Sequence, residues 1–337
     1  MEIEAFQHPD FVWTWKSAVR GGRASLWLPY FAGVKKIKGS RYRFHYNAGT
    51  IEADLKTLDF IMLYGATGSI DIGFLDALNQ HRICLSIHRR NQTRPMVFAP
   101  VPATDDIDVL TSQILARESV PKATYIARSL IRERFRRMEG TIPVAASTFR
   151  RLAATRNPDA VRTIEANVTR RYWDSYYASL GLTLNRREKH PLNSALDAGS
   201  MFLFGILLRW LLFHKFSPSH GYLHLPSSYP SLPYDLMEPY RYIFEDAAAY
   251  AWLKGYTSEE KLTAATLARM KEAMTESVYV PCTRQTVRRK TLLHGVVLAL
   301  RTYLTREVPR LVIPVEGQPK GGRPPLTGYT LPGAVRP

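Results

Sequence analysis

The chain has 337 residues, enough for two domains and a sizeable core, and its 45% hydrophobic and 22% charged make-up is that of an ordinary folded protein. Lys and Arg number 46 against 29 Asp and Glu, a formal net charge of +17, which calls for a polyanionic partner, nucleic acid being the commonest. Two cysteines, Cys84 and Cys282, with no Cys-x-x-Cys pair, argue against cysteine-bound zinc and a secreted disulfide framework. An acidic, polar start that is no signal peptide fits the same cytoplasmic reading.

Residues 24–100 read as mostly strand, with pieces at 25–31, 41–47, 59–65, 83–89 and 95–100, each rich in β-branched or aromatic residues. Helical spacing of apolar residues predicts one helix among them, over 70–80. The pattern changes at VPATDD (101–106), where Thr104 is placed to cap a helix. Helices are then expected at 105–118, 121–138, 145–156, 158–180, 192–215, 234–252, 258–276 and 284–306. The apolar run 198–213 contains Arg209, with Asp197 just upstream, so a buried core helix is expected there and not a membrane span. The tail 313–337 is dense in Pro and Gly and should be extended or disordered. The expected class is therefore α+β: a small β-rich domain over 1–103, a larger all-helical domain over 104–312, and the tail. Charge divides unevenly along this plan, with a net of +4 over residues 1–105 and +13 over the rest.

The candidates for chemistry lie in the helical part. In SHGYLHLPSSYPSLPYDLMEPYR (219–241), His224 follows a tight turn, and Asp235 and Glu238 are spaced i, i+3 on one face of a helix start. Helix capping and dipole complementation explain the two acids equally well. Glu165, in RTIEANVTRRYWDSYY, is on its own an ordinary helical glutamate. His220 and His224 form an HxxxH pair, but Gly221 stands where a zinc protease has its glutamate, and the flanking prolines oppose a helix. No phosphate-binding GxxxxGK[ST] loop and no G-x-S-x-G elbow occur, so nucleotide and ester hydrolases lose support.

Taken in order, a helical Glu165, the apolar helix LNSALDAGSMFLFGILL, the turn GYLH and SLPYDLMEPYRYIFEDAA resemble the CRISPR-associated integrases of spacer acquisition, the "Cas-one" family. The resemblance spans roughly residues 24–310, with its specific motifs over 165–246. It departs at Asp197, where a small polar residue is usual, and at Tyr242, which replaces a proline. His220 is an extra imidazole, and the tail has no counterpart.

The resemblance implies a β-rich domain that forms a homodimer interface and a helical, DNA-binding catalytic domain. It places Glu165, His224 and Glu238 on the metal ligands, Asp235 on the neighbouring acid, Arg241 on the arginine of the helix start, and Asp246 on the aspartate that follows. Two carboxylates and an imidazole suit Mg²⁺ or Mn²⁺. The implied reaction is strand transfer, in which a DNA 3′-hydroxyl attacks a phosphodiester at the edge of a CRISPR repeat. The implied partners are double-stranded DNA (prespacer and repeat) and the small "Cas-two" protein, with no membrane. Arg170, Arg171, Tyr172, Arg241, Arg284, Arg288 and Arg289 are the expected DNA-binding residues, and Arg132, Arg134, Arg136 and Arg137 form a further basic cluster. Two other readings compete: a casposon-type integrase or general nuclease of the same fold, and a basic scaffold that binds nucleic acid without catalysis.

Overall fold

Period-two alternation shapes the strand-rich part. In RYRFHY, Tyr42 and Phe44 are buried, while Arg41 and Arg43 stay in solvent and meet Glu52 on the next strand at 3.0 and 2.7 Å. The protein is described by a computed structural model over residues 13–16, 24–47, 49–89, 95–100, 108–225, 228–319 and 321–334. It divides into two units, Met1–Asp105 and Asp106–Pro337.

In the first unit, β1 (Trp13–Lys16), β2 (Ala24–Pro29), β6 (Leu58–Tyr64), β7 (Cys84–His88) and β8 (Met96–Phe98) form a five-stranded sheet in the order β1-β2-β6-β7-β8. The inner pairs β2/β6 and β6/β7 are parallel and the two outer pairs antiparallel. β3 (Phe31–Lys38), β4 (Arg41–Tyr46) and β5 (Gly49–Asp54) form a separate antiparallel sheet. β6, LDFIMLY, is buried at nearly every position, as a central parallel strand should be. One helix, α1 (Ile72–His81), starts where the Asp71 side chain accepts the Phe74 N–H at 2.7 Å. Its Phe74 and Leu78 join Tyr42, Phe44 and Leu63 in one core.

The strand expected at 25–31 is in fact the end of one strand and the start of another, separated by Tyr30 at φ 50°. β3 and β5 were not legible, because Lys35, Lys36 and Lys38 give β3 the look of a charged loop; pairing with β4 holds it extended.

The second unit holds α2 (Val109–Glu118), α3 (Val120–Met138), α4 (Ala146–Ala153), α5 (Pro158–Ser179), α6 (Pro191–Phe213), α7 (Ser231–Met237), α8 (Tyr242–Leu253), α9 (Glu259–Thr275) and α10 (Lys290–Leu304), with a short hairpin of β9 (Ser277–Val280) and β10 (Gln285–Arg288). The expected cap Thr104 lies outside the described residues. α2 is capped by Asp108, whose carboxylate accepts the Thr111 N–H at 2.8 Å. The single helix expected over 234–252 is broken: α7 ends, a 3-10 turn runs over Glu238–Tyr240, and α8 follows. Pro239 lacks the N–H a continuous helix would need there. Likewise the helix expected from 284 starts at Lys290, after the hairpin.

α6 is long and apolar enough to cross a membrane, yet 72% of its apolar window is buried inside the protein. Gly199 permits that packing, since a Cβ there would lie 2.7 Å from Phe244 Cβ on α8. Among the described residues after Arg310 there is no helix or strand, but the segment is anchored. Leu311, Ile313 and Leu331 are buried, and the Pro314 carbonyl accepts the Tyr240 hydroxyl at 2.7 Å.

Candidate active site

Two buried constellations bracket the break between α7 and the 3-10 turn. The first is built around Asp235 on α7, whose side chain is fully buried. Its Oδ2 accepts the backbone N–H groups of Tyr222 at 2.5 Å and Leu223 at 2.8 Å. Its Oδ1 accepts the His224 N–H at 3.0 Å and pairs with His224 Nδ1 at 2.7 Å. One carboxylate thus folds the GYLH turn onto α7. Only glycine fits at position 221, where a Cβ would lie 2.7 Å from Asp235 Oδ2 and 2.9 Å from the His224 carbonyl oxygen. With Nδ1–H donated to a carboxylate, the neutral imidazole of His224 keeps its lone pair on Nε2, the tautomer of a metal-binding histidine. The His224 side chain is 36% exposed.

The second constellation gathers Glu165 from α5, Glu238 from the 3-10 turn and Arg134 from α3. α5 begins with the Asn157 side chain accepting the Ala160 N–H and with Pro158 in its first turn. Two turns on, Glu165 accepts the Thr169 hydroxyl at 2.6 Å. Arg134, 4% exposed, lies with Nη1 3.3 Å from Glu165 Oε1, and the same nitrogen donates to Glu238 Oε2. Its Nε and Nη2 meet no hydrogen-bond acceptor among the described residues. Burial, with the Arg241 charge beside it, pulls the Arg134 guanidinium down to about 10, still a cation at neutral pH.

Beyond these, Arg241 Nη1 lies 3.7 Å from Glu238 Oε1 and its Nε donates to Glu245 Oε1 at 3.3 Å. Glu245, also buried, accepts the Tyr172 hydroxyl at 2.8 Å. Asp246 is reached by solvent, but the protein packed around it and then the Glu245 charge push its carboxyl up to about 6.

Several expected DNA-binding residues are placed otherwise. Tyr172 is in the core, 5% exposed, with its hydroxyl on Glu245; burial and that carboxylate hold it far above its ordinary pKa, and its ring is closed to a base. Arg289 is 16% exposed and paired with Glu276 at 2.6 Å and Glu316 at 3.1 Å, and Arg241 is likewise committed to acids. Arg284 donates to the Gly322 carbonyl, and Arg288, exposed, donates to the Thr275 carbonyl at 2.6 Å. Arg170 and Arg171 are exposed and have no ion-pair partner among the described residues. In the basic cluster of α3, Arg134 turns inward while Arg132 and Arg136 pair with Glu133. His220 is held in its loop by Ser217 at 2.6 Å.

Sequence reasoning missed Arg134 as a member of the site, and Glu245 altogether. The signal for Arg134 was present: it sits on the stripe Ala127, Leu130, Ile131, Met138, all buried, where a lone arginine needs buried acids.

Among the described residues no three His, Cys, Asp or Glu side chains converge closely enough to hold a metal ion as they stand. The cation between Glu165 and Glu238 is Arg134 itself. By donor chemistry, the two carboxylates gathered on one buried positive charge and the imidazole of His224, tied to Asp235 three residues before Glu238, are of the kind Mg²⁺ or Mn²⁺ takes.

The sequence model of the family described as CRISPR associated protein Cas1 matches residues 34–273, which include all four site residues. No curated protein matches this sequence. Among solved structures, a CAS1 protein from Thermotoga maritima superimposes with a TM-score of 0.69 at 18% identity, covering 87% of this chain and 100% of that one. A casposase bound to integration product gives 0.69 at 17% identity, covering 85% and 92%. A Cas6-RT-Cas1–Cas2 complex gives 0.70 at 15% identity, covering 88% of this chain and 37% of that one. At such identities the likeness is one of fold.

Proposed function

The chain belongs to the CRISPR-associated Cas1 family, and from that premise we propose that it is a metal-dependent DNA integrase and endonuclease. It inserts spacer DNA into a CRISPR array by attack of a 3′-hydroxyl on a repeat phosphodiester. The observation that carries this reading is the gathering of Glu165 and Glu238 on one buried cation, together with a His224 whose Nδ1 is fixed by Asp235, three residues before Glu238.

Glu165, Glu238 and His224 Nε2 are the proposed ligands of Mg²⁺ or Mn²⁺. When bound, such an ion withdraws charge from the non-bridging oxygens of the scissile phosphate. Asp235 keeps the imidazole in one tautomer and holds the 222–224 backbone rigid, so His224 needs little reorganisation when the site is loaded. Arg241 offsets the buried charges of Glu238 and Glu245. Arg170 and Arg171, exposed on the same helix as Glu165, supply phosphate contacts.

The protein's partners are double-stranded DNA, a second copy of the chain and the small Cas2 protein; a Cas1–Cas2 assembly among the fold neighbours supports the last. A casposon-type reaction is the second reading, because a casposase matches the fold as well as a CAS1 protein does, each at a TM-score of 0.69.

Purified protein incubated with Mn²⁺, a short duplex bearing 3′-hydroxyls and supercoiled repeat-bearing plasmid should yield joined products, and His224→Ala should yield none. Equal joining by His224→Ala sinks the metal mechanism and leaves a DNA-binding scaffold. Equal joining into a plasmid without the repeat favours the casposon-type reading.

A further inference from the structure

We propose that Arg134 is a resident counter-cation, which holds Glu165 and Glu238 together in the metal-free protein and is displaced from them when a divalent metal binds. The inference rests on the proposal that these two glutamates are metal ligands.

The Arg134 guanidinium uses few of its donors. An arginine placed to cross-link elements uses its planar fork, with two nitrogens on one carboxylate or several on different acceptors. Arg134 instead serves both glutamates through Nη1 alone, while its buried Nε and Nη2 meet no acceptor among the described residues. Charge balance explains that arrangement; hydrogen-bond satisfaction does not. Buried donors left without acceptors are disfavoured, so this pose is held mainly by the two negative charges.

Metal and arginine would also compete for the same two carboxylates. Glu165 Oε1 already accepts Thr169 and faces Arg134, and Glu238 Oε2 accepts Arg134. A divalent ion bound by these glutamates would sit against the same oxygens, with a buried monocation in contact with them. At this depth the repulsion is only weakly screened. Removing the cation altogether leaves a buried and a half-buried carboxylate facing each other, which draws in a metal ion or a proton.

A displaced Arg134 has a further acid nearby. Glu245 is buried, lies outside the proposed ligand set and is within electrostatic reach of Arg134. Its other partners are the Tyr172 hydroxyl and Arg241. Turning from Glu165 and Glu238 toward Glu245 would keep Arg134 beside a negative charge.

The test is Mn²⁺ uptake by the full chain, followed as loss of the free-ion EPR signal, for wild type, Arg134→Met and Arg134→Lys. Arg134→Met is expected to bind Mn²⁺ about tenfold more tightly than wild type, since the ion no longer displaces a charge. It should also melt lower than wild type in EDTA, and the gap should close at saturating Mn²⁺. Arg134→Lys keeps a charge but on a shorter side chain that stops short of the Nη1 position, so it should bind a few-fold more tightly than wild type. If Arg134→Met fails to fold, the lysine variant alone decides. Uptake by the variants equal to or weaker than wild type overturns the proposal and makes Arg134 a scaffold residue. If wild type takes up no Mn²⁺, the metal-ligand reading itself falls, and this inference with it.

Discussion

Asp235 and Glu238 are three residues apart and both buried, yet their partners differ in kind. Asp235 accepts three backbone N–H groups and an imidazole, all within a turn it organises. Glu238 is met by two arginine side chains, Arg134 from α3 and Arg241 three residues on. Backbone donors cannot leave without unfolding the turn, whereas a side-chain cation can be exchanged for another. A buried acid satisfied by the main chain is thus an organiser, and one satisfied only by cations is open to ligation. The same contrast separates the arginines: Arg134 and Arg241 balance acids, while Arg170 and Arg171 stand free in solvent.

The sharpest way to break this distinction is Asp235→Ala. It strips four donors of their acceptor, and unsatisfied buried groups cost about 1–3 kcal/mol each. Loss of roughly 4 kcal/mol or more in chemical denaturation, with strand transfer abolished even at high Mn²⁺, is expected. Glu238→Gln should behave differently. It leaves Arg134 with Glu165, so the stability loss should be smaller, about 2 kcal/mol, while Mn²⁺ uptake disappears. Equal destabilisation by the two would show that both acids are structural. Replacing Arg170 and Arg171 together with Ala should leave melting unchanged. DNA affinity should fall about tenfold, with the salt slope of log K reduced by nearly 2, as for two lost phosphate contacts. An unchanged slope in a filter-binding series would place the DNA track elsewhere.

How far the sequence shows these features depends on whether the deciding interaction is local. Tyr42 and Phe44 alternate with arginines, and β4 is plain; β3 carries three lysines and is a strand only because β4 pairs with it. His224 and the two acids after it lie within 15 residues, so their association was readable in outline. Pro239 gave a local warning that the helix over 234–252 would break, but helix-like periodicity on both sides masked it. Arg134 lies 104 residues from Glu238 along the chain. In RERFRR it looks like one more surface cation, and only its phase on the apolar stripe of α3 shows that it faces inward. Tyr172 follows two exposed arginines and resembles a DNA contact until its hydroxyl is found on Glu245, 73 residues away.

Asp246 extends the comparison to an acid that has neither kind of partner. The packed protein and the neighbouring Glu245 charge push its carboxyl up to about 6 from an ordinary 3.8, more than Arg289 and Arg137 pull it down. A carboxyl raised in the folded state contributes stability that is fully present below its unfolded pKa and is lost as pH rises through the folded value. The window therefore runs from about pH 4 to about pH 6, and at pH 7 the ionised group is a net burden. Asp246→Asn should remove that slope and raise stability at pH 7. Because solvent reaches the side chain, the gain should stay under about 1 kcal/mol. Melting curves at pH 4, 5, 6 and 7 on both proteins measure it. A variant whose pH profile parallels wild type would mean that Asp246 already has a compensating partner. It would then belong with Glu238, among the acids held by cations.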